Sequence, residues 1–259
     1  MQPYWWGVNK IRVDIEALNS AQLTIQMIEA VLPDGSLVQL TEQDAPVSLD
    51  LSAIEASCLV YLAVPAASSA ERFTPELHEL ADSSCQGVLA QIQLNKLNVQ
   101  LFAEQPDEND YSCLPLLRID SVDAEGAQLD YGYIPALLDI SDRSLITSAL
   151  LEYVVKFNDA IDQARTRILD EHSEAQALDI LARHRLAKLN QLKCMLWRII
   201  EQPLCHPYYL YGECLAALAE LSAYGETPNE LLVEPYQHDD LATSLGGLLN
   251  HLTQLINAF

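Results

Sequence analysis

Six histidines and six cysteines are the residues of this chain best equipped for chemistry beyond simple charge. Cys205, His206, Cys214 and His238 are all legal zinc ligands. Their spacing follows no Cys-x-x-Cys or paired-histidine pattern, so nothing in it favours a metal. His206 stands before Pro207, and His238 before Asp239-Asp240. Both are better read as corners where helices begin, because polar residues cap orphan amides and proline suits a first helical turn. His184 lies near an apolar helical stripe and reads as a satisfied interface histidine. Asp130 reads as an acid at a strand end, and Arg118 as a structural cation within a strand, with contact to an acidic partner as its alternative. No phosphate-cradling glycine loop, dinucleotide fingerprint, HExxH or GxSxG stands anywhere in the sequence. An enzyme of unrecognised class would need convergent polar residues in a cleft, and no such cluster is legible. The expectation is no catalytic, cofactor-binding or metal-binding residue, and no enzyme.

Charge narrows the partners. The chain has 259 residues, half of them apolar, and a formal net charge of −23. Such a balance opposes nucleic acid and anionic membrane surfaces, both of which call for a basic patch. Residues 1–140 hold 5 Lys/Arg against 21 Asp/Glu, and residues 199–259 hold 8 acids and no Lys or Arg. The plain reading is a self-repelling soluble surface; the sharper one is an acidic face for a basic partner. No apolar run approaches the ~18 residues of a membrane helix, and the N-terminus lacks a signal-peptide pattern. The cysteines are expected as reduced thiols in a cytoplasmic protein. Tyr4, Trp5 and Trp6 form an unusual aromatic run, either a clamp under a sheet edge or a partner-binding anchor.

The elements that must position these residues fall into two halves. Alternation at Ile11, Val13 and Ile15, and at Leu23, Ile25 and Met27, predicts antiparallel strands with one buried face. Pro33-Asp34-Gly35 is a turn returning through Leu37–Leu40. Cys58 to Val64 predicts a strand buried on both faces. Residues 66–90 read as loop, and Ile92 to Leu101 as a strand with a bulge. Leu114–Val122 and Ala127–Ile134 are expected to pair across residues 123–126, leading to a Pro135 corner. The fold class expected is α+β. A β-sandwich-like domain over 1–140 is followed by an up-and-down four-helix bundle over 141–259. Helical spacing marks Leu145 to Ile168, capped by Ser141. A second helix opens at residues 173–176 and carries Leu178, Leu181, Leu189, Leu192, Leu196 and Ile199, with Pro203 closing it. A third runs from Pro207 with Leu210, Cys214, Leu215, Leu218 and Leu221 inward, closed by Gly225. A fourth follows Asp239 or Asp240 with Leu241, Leu245, Leu248, Leu252 and Leu255.

Several passages carry a resemblance in the same order along the chain. They are Pro3-Tyr4 with Trp6-Gly7, the Pro33-Asp34-Gly35 turn, and Leu114, Pro115 and Arg118 followed by Leu129, Asp130, Tyr133, Ile134 and Pro135. Further on come His206, Pro207, Leu210, Tyr211, Glu220, Leu221 and Tyr224, then Tyr236, His238, Asp240 and Leu241. Together they resemble the TssK family, also called VasE or ImpJ, whose members supply the baseplate connector of the bacterial type VI secretion system. Cys214 and Ala217 depart from the family's leucines. Pro115, Arg118, Tyr133, Pro135, His206 and His238 then stand as structural corners. The resemblance implies a homotrimer with a β-rich shoulder and a helical neck. The shoulder would bind other baseplate wedge subunits, with Tyr4, Trp5 and Trp6 as candidate interface. Relatives carry a further N-terminal segment and a C-terminal head, through which the membrane complex would be met; this chain is expected to be a shoulder and neck without them. No nucleic acid and no direct membrane insertion are expected. The alternative is a phage-like or contractile-tail adaptor without a secretion role.

Overall fold

The computed structural model describes residues 4–54, 56–81, 89–141, 145–171, 179–201, 205–224 and 233–258. The architecture is α+β, with antiparallel sheets followed by long helices. The chain divides into two compact units. One is Val13–Leu129; the other is Asp130–Phe259 together with Met1–Arg12. The opening segment therefore belongs with the helices, and the second unit begins ten residues before the Pro135–Ile140 corner has finished.

The first strand, β1 (Gly7–Val13), ends at the first residue of the β-rich unit; there Asp14's side chain accepts from the amides of Glu16 (3.0 Å) and Ala17 (3.2 Å) and caps a short helix, α1 (Ile15–Leu18). Ile15 thus opens a helix rather than closing a strand, because the Asp14 cap intervenes. The next strand, β2 (Gln22–Val31), pairs antiparallel with β4 (Val47–Asp50) through its first half and with β3 (Leu37–Leu40) through its second. Its buried set is Leu23 and Ile25, then Ile28 and Ala30, with Met27 only half-buried. The alternation slips by one where the partner strand changes, which simple period two does not anticipate.

A second sheet runs in the order β10-β9-β5-β8, built from β5 (Cys58–Pro65), β8 (Gln100–Phe102), β9 (Tyr111–Asp123) and β10 (Gly126–Leu129). Central β5 buries Val60, Leu62, Ala63 and Val64 completely, as a strand with two neighbours should. The β5–β9 register slips between Val60 and Tyr61, where Tyr61 faces Pro115. A proline inside a paired strand is tolerated at such an irregularity. Arg118 lies exposed on β9 opposite Leu59. The strand expected to reach Ile134 stops at Leu129; Asp130 Oδ1 accepts from the Gly132 amide at 2.8 Å and turns the chain.

Residues 66–90 are not all loop. Phe73–Ala81 is a strand, β6, paired in continuous antiparallel register with β7 (Leu89–Leu97) as a separate two-stranded ribbon. Residues 82–88 lie outside the described residues. At the base of the ribbon Arg72 is buried; it donates to the Pro65 carbonyl (2.5 Å) and to Asp34 (2.9 Å), and contacts Ser36.

In the helical unit, α2 (Ser148–Glu171), α3 (Ile180–Glu201), α4 (Pro207–Leu221) and α5 (Gly247–Asn257) pack so that α2 contacts α3 and α5, and α4 contacts α3 and α5. The stripe of α2 is Leu150, Val154, Phe157, Ala160, Ile161, Ala164 and Ile168. The helix start proposed at Ser141 differs from what is seen, and the one proposed at 173–176 lies outside the described residues. The continuous α2 begins at Ser148, and residues 142–144 and 172–178 lie outside the described ones, as do Pro203 and Gly225. Asp179 accepts from the Ala182 amide at 2.7 Å where α3 begins. Leu181 is exposed and Ala182 buried in its place; Leu215 is part-exposed while Ala217 is buried. A π-helical turn over Ala242–Gly246 inserts an extra residue before α5. Leu249 and Ile256 join Leu248 and Leu252 in the core, a stripe at spacings of three and four along α5, with Leu255 at its margin.

Candidate functional site

Two chain corners, far apart in sequence, converge on the opening segment. Tyr4 has φ +67°, unusual for a residue with a side chain, and Gly7 has φ +138°. A Cβ at Gly7 would lie 2.8 Å from the Ala136 carbonyl oxygen, so only glycine allows this approach. The contact is an ordered one: Val8 donates to Ala136 (2.8 Å), Leu138 donates to Val8 (2.9 Å), and Val8 pairs in parallel with Leu137. Ile134 and Pro135 are buried, and Tyr133 half-buried, in the turn that brings this stretch to β1.

The first corner precedes α4. Asp139 Oδ1 accepts from the amides of Cys205 (2.8 Å) and Ser141 (3.0 Å), and Oδ2 from the Ser141 hydroxyl (2.5 Å). Ile140 donates to the Cys205 carbonyl at 2.9 Å. His206 then caps α4: its Nδ1 accepts from the Tyr208 amide at 3.1 Å. The proton must therefore sit on Nε2, which donates to the Tyr4 carbonyl at 2.9 Å. Pro207 fills the first helical position, where its missing amide is no loss.

The second corner precedes the π-turn. His238 Nε2 lies 2.6 Å from the Trp6 carbonyl. A carbonyl only accepts, so Nε2 carries the proton, and Nδ1 accepts from the Tyr236 hydroxyl at 2.8 Å. Ser244 Oγ, bonded to the carbonyls of Gln237 (3.1 Å) and Asp240 (2.8 Å), ties this corner to the turn. The imidazoles of His206 and His238 stack with centroids 5.0 Å apart and 16° between planes. Around them Tyr4, Trp6, Tyr208, Tyr211 and Tyr236 form a continuous aromatic cluster.

Both imidazoles are buried and neutral. Desolvation lowers His238 to about 4, partly opposed by the hydrogen bond to the Trp6 carbonyl, and the stacked His206 lowers it further. Burial lowers His206 as well. Burial also pushes the Cys205 thiol up to about 11, with Asp139 adding to the effect, so it is a poor nucleophile. Every ring nitrogen of the pair is already engaged, which leaves neither histidine a lone pair for a metal. Cys214 is fully buried on α4. Among the described residues no group of three His, Cys, Asp or Glu is placed to hold an ion, and no helix is long and apolar enough to cross a membrane. The arrangement is a clasp: two histidines grip the carbonyls on either side of Trp5, whose own side chain is 64% exposed.

The structure thus joins Tyr4, Trp6, His206 and His238, and sets Trp5 outward. Pro115 and Arg118 lie in the β-rich unit. His184 is exposed on α3 rather than in an interface of this chain. Sequence reasoning missed Asp139, and it named Tyr236 within the family passage without a role. The Asp-x-Ser spacing of Asp139 and Ser141, a common turn signature, was the available signal for the first.

Comparison with known proteins fits this architecture. The chain matches the family described as "Bacterial Type VI secretion, VC_A0110, EvfL, ImpJ, VasE" over residues 1–259. It is 24% identical over 270 residues to the type VI secretion system baseplate component TssK1 of Pseudomonas aeruginosa, covering 97% of this chain and 60% of that protein. The chain therefore spans about three-fifths of that relative's length. A crystal structure of TssK superposes with a TM-score of 0.87 at 18% identity, covering 98% of this chain and 64% of that one. TssK in a TssK-TssF-TssG baseplate subcomplex, solved by cryo-electron microscopy, gives 0.83 at 20% identity, covering 98% and 87%. At these identities the superpositions establish a shared fold, and the match along all 259 residues establishes the lineage: the chain belongs to the VasE/ImpJ family of bacterial type VI secretion.

Proposed function

We propose that this chain serves as a structural baseplate component of a type VI secretion system, acting through protein–protein contacts. The observation that carries the reading is the family match over residues 1–259. The match with TssK1 supports it. That lineage also favours it over a contractile-tail adaptor without a secretion role. In this reading the β-rich unit is a sandwich-like shoulder that meets other wedge subunits, as TssK is seen with TssF and TssG in a solved relative. The helices form an up-and-down four-helix neck, three copies of which assemble as a trimer in the cytoplasm. Trimerisation presents one weak surface three times, so modest contacts combine by avidity. Trp5, held outward by the histidine clasp, is a candidate anchor at such a surface.

The test is co-expression with the TssF and TssG homologues of the same bacterium, followed by affinity purification through a tag on this chain. A stoichiometric complex is expected. Recovery of the chain alone under conditions where TssF and TssG bind each other would overturn the proposal.

A further inference from the structure

The β6–β7 ribbon poses a physical problem. Two-stranded sheets are marginal in water unless packed on something, yet no described side chain of this ribbon is fully buried. Leu77 is 70% exposed, and Phe73 and Leu94 are exposed too. Its two edges are not alike. The Asn98 amide donates to the Arg72 carbonyl at 2.9 Å, which sets the ladder's phase. From that rung the pairs Thr74–Lys96, Glu76–Leu94 and His78–Ile92 face their amides and carbonyls inward. Phe73–Leu97, Pro75–Asn95, Leu77–Gln93 and Glu79–Gln91 face theirs outward. On β6, one outward position is Pro75, which has no amide, and Glu76 and Glu79 add acids. Proline and charge are how natural proteins blunt an edge.

On β7 the blunting is slighter. Gln91, Gln93 and Asn95 direct backbone groups outward. Among the described residues no third strand pairs with them. Gln91–Leu97 carries a single charge, Lys96, already engaged by Asp44 and Glu76 at 2.6 Å each. It contains no proline or glycine, and it alternates amide side chains with Ile92 and Leu94. An open edge of this kind, with one already paired charge and a continuous register, is prone to aggregate unless another strand covers it. A second copy is a poor occupant, because β7 pairing edge to edge with its own counterpart is a two-fold contact that the three-fold assembly proposed above does not use, and a net charge of −23 favours a neutral or basic strand.

We infer that the outer edge of β7, Gln91–Leu97, is a docking edge that receives an extended, neutral-to-basic strand of a baseplate wedge subunit by β-strand addition. Main-chain bonds supply the affinity, and alternate side chains of the incoming strand lie over Ile92 and Leu94. The inference rests on the baseplate reading above and names the place where that contact is made.

The test uses the whole chain and the co-expressed TssF and TssG homologues. Leu77 and Gln93 share one rung, so Gln93→Pro and Leu77→Pro disturb the ribbon alike but remove an outward amide from opposite edges. Gln93→Pro is expected to weaken the complex at least about tenfold, the loss of a main-chain bond plus a steric block. Leu77→Pro should leave it intact. Hydrogen exchange gives a readout without substitution: amides of Gln91, Gln93 and Asn95 exchange freely in the chain alone and become protected in the complex. A complex that forms with those amides unprotected, or equal losses in both variants, overturns the docking edge and leaves the baseplate reading standing. Protection that rises with concentration of the chain alone overturns it in favour of self-pairing. Failure to form any complex overturns both.

Discussion

At the scale of single residues, the two buried histidines make the helical unit sensitive to acid in a defined window. A neutral imidazole whose folded pKa is lowered contributes stability that is complete above its unfolded pKa, near 6.5, and drains away as pH falls toward the folded value. For His238 that interval runs from 6.5 down to about 4, a loss of roughly 3 kcal/mol at about 1.4 kcal/mol per unit. His206 shifts in the same direction. The carboxylates held low by partners, Asp44 by Lys96 and Asp162 by Lys193, release their contributions only below their ordinary value of 3.8. The two effects therefore separate on the pH axis. Urea unfolding between pH 7.5 and 4.5 should show a midpoint that falls with acid in the wild type. In His238→Gln, which keeps a donor for the Trp6 carbonyl but cannot ionise, the slope should be shallower, with ~1–2 kcal/mol lost at pH 7.5. A wild-type midpoint flat from 7.5 to 4.5 would contradict the buried neutral pair. His206 and His238 were legible as helix-start residues, because Pro207 and Asp239-Asp240 follow them. Their partners were not, since the Tyr4 and Trp6 carbonyls lie 202 and 232 residues away. Nothing in local spacing encodes a contact to a backbone oxygen at that distance.

At the scale of elements, what the sequence revealed depended on whether an element faces a core. Cys58–Pro65 and the α2 stripe were legible because burial imposes period two or period 3.6 on their apolar residues. Strand β6 was not, because an unpacked ribbon has no inner face to pattern, and Pro75 argues against a strand. The π-turn at Ala242–Gly246 was equally hidden, since no residue type in local spacing marks it. Three substitutions probe how the elements are held together. Gly126 sits at φ +115°, and a Cβ there would fall 2.3 Å from the Leu18 carbonyl. Gly126→Ala should cost ~3 kcal/mol or more through strain and displacement of α1, read as a lower denaturation midpoint. Between α3 and α4, Lys188 is only 7% exposed and meets Glu220 at 2.5 Å. Removing the acid leaves a nearly buried ammonium with the neutral Gln191 side-chain oxygen at 3.2 Å and no counter-charge, so Glu220→Ala should destabilise by ~1–2 kcal/mol, while Lys188→Met should be close to neutral. The reverse order in a thermal melt would refute that assignment.

At the scale of the whole molecule, the apolar residues that the fold leaves outside are the guide to assembly. Val155 and Leu169 lie four turns apart on one side of α2, and Trp197 on α3 is 67% exposed. Large apolar side chains on long helices are expected where other copies pack, because burying each contributes ~2–3 kcal/mol. Closed rotational symmetry would let three copies bury the same helical face without leaving an open edge. Light scattering across a concentration series should then give a mass near three times 28.8 kDa. Trp197→Glu should reduce the mass toward one copy while leaving the circular dichroism and melting of the monomer unchanged, since this side chain contributes little to the core of its own chain. A trimer that survives Trp197→Glu would move the contacts away from that face of α3. A wild-type chain that stays monomeric at every concentration would place them outside these 259 residues, and the helices would then be a spacer between binding surfaces rather than the trimerising element.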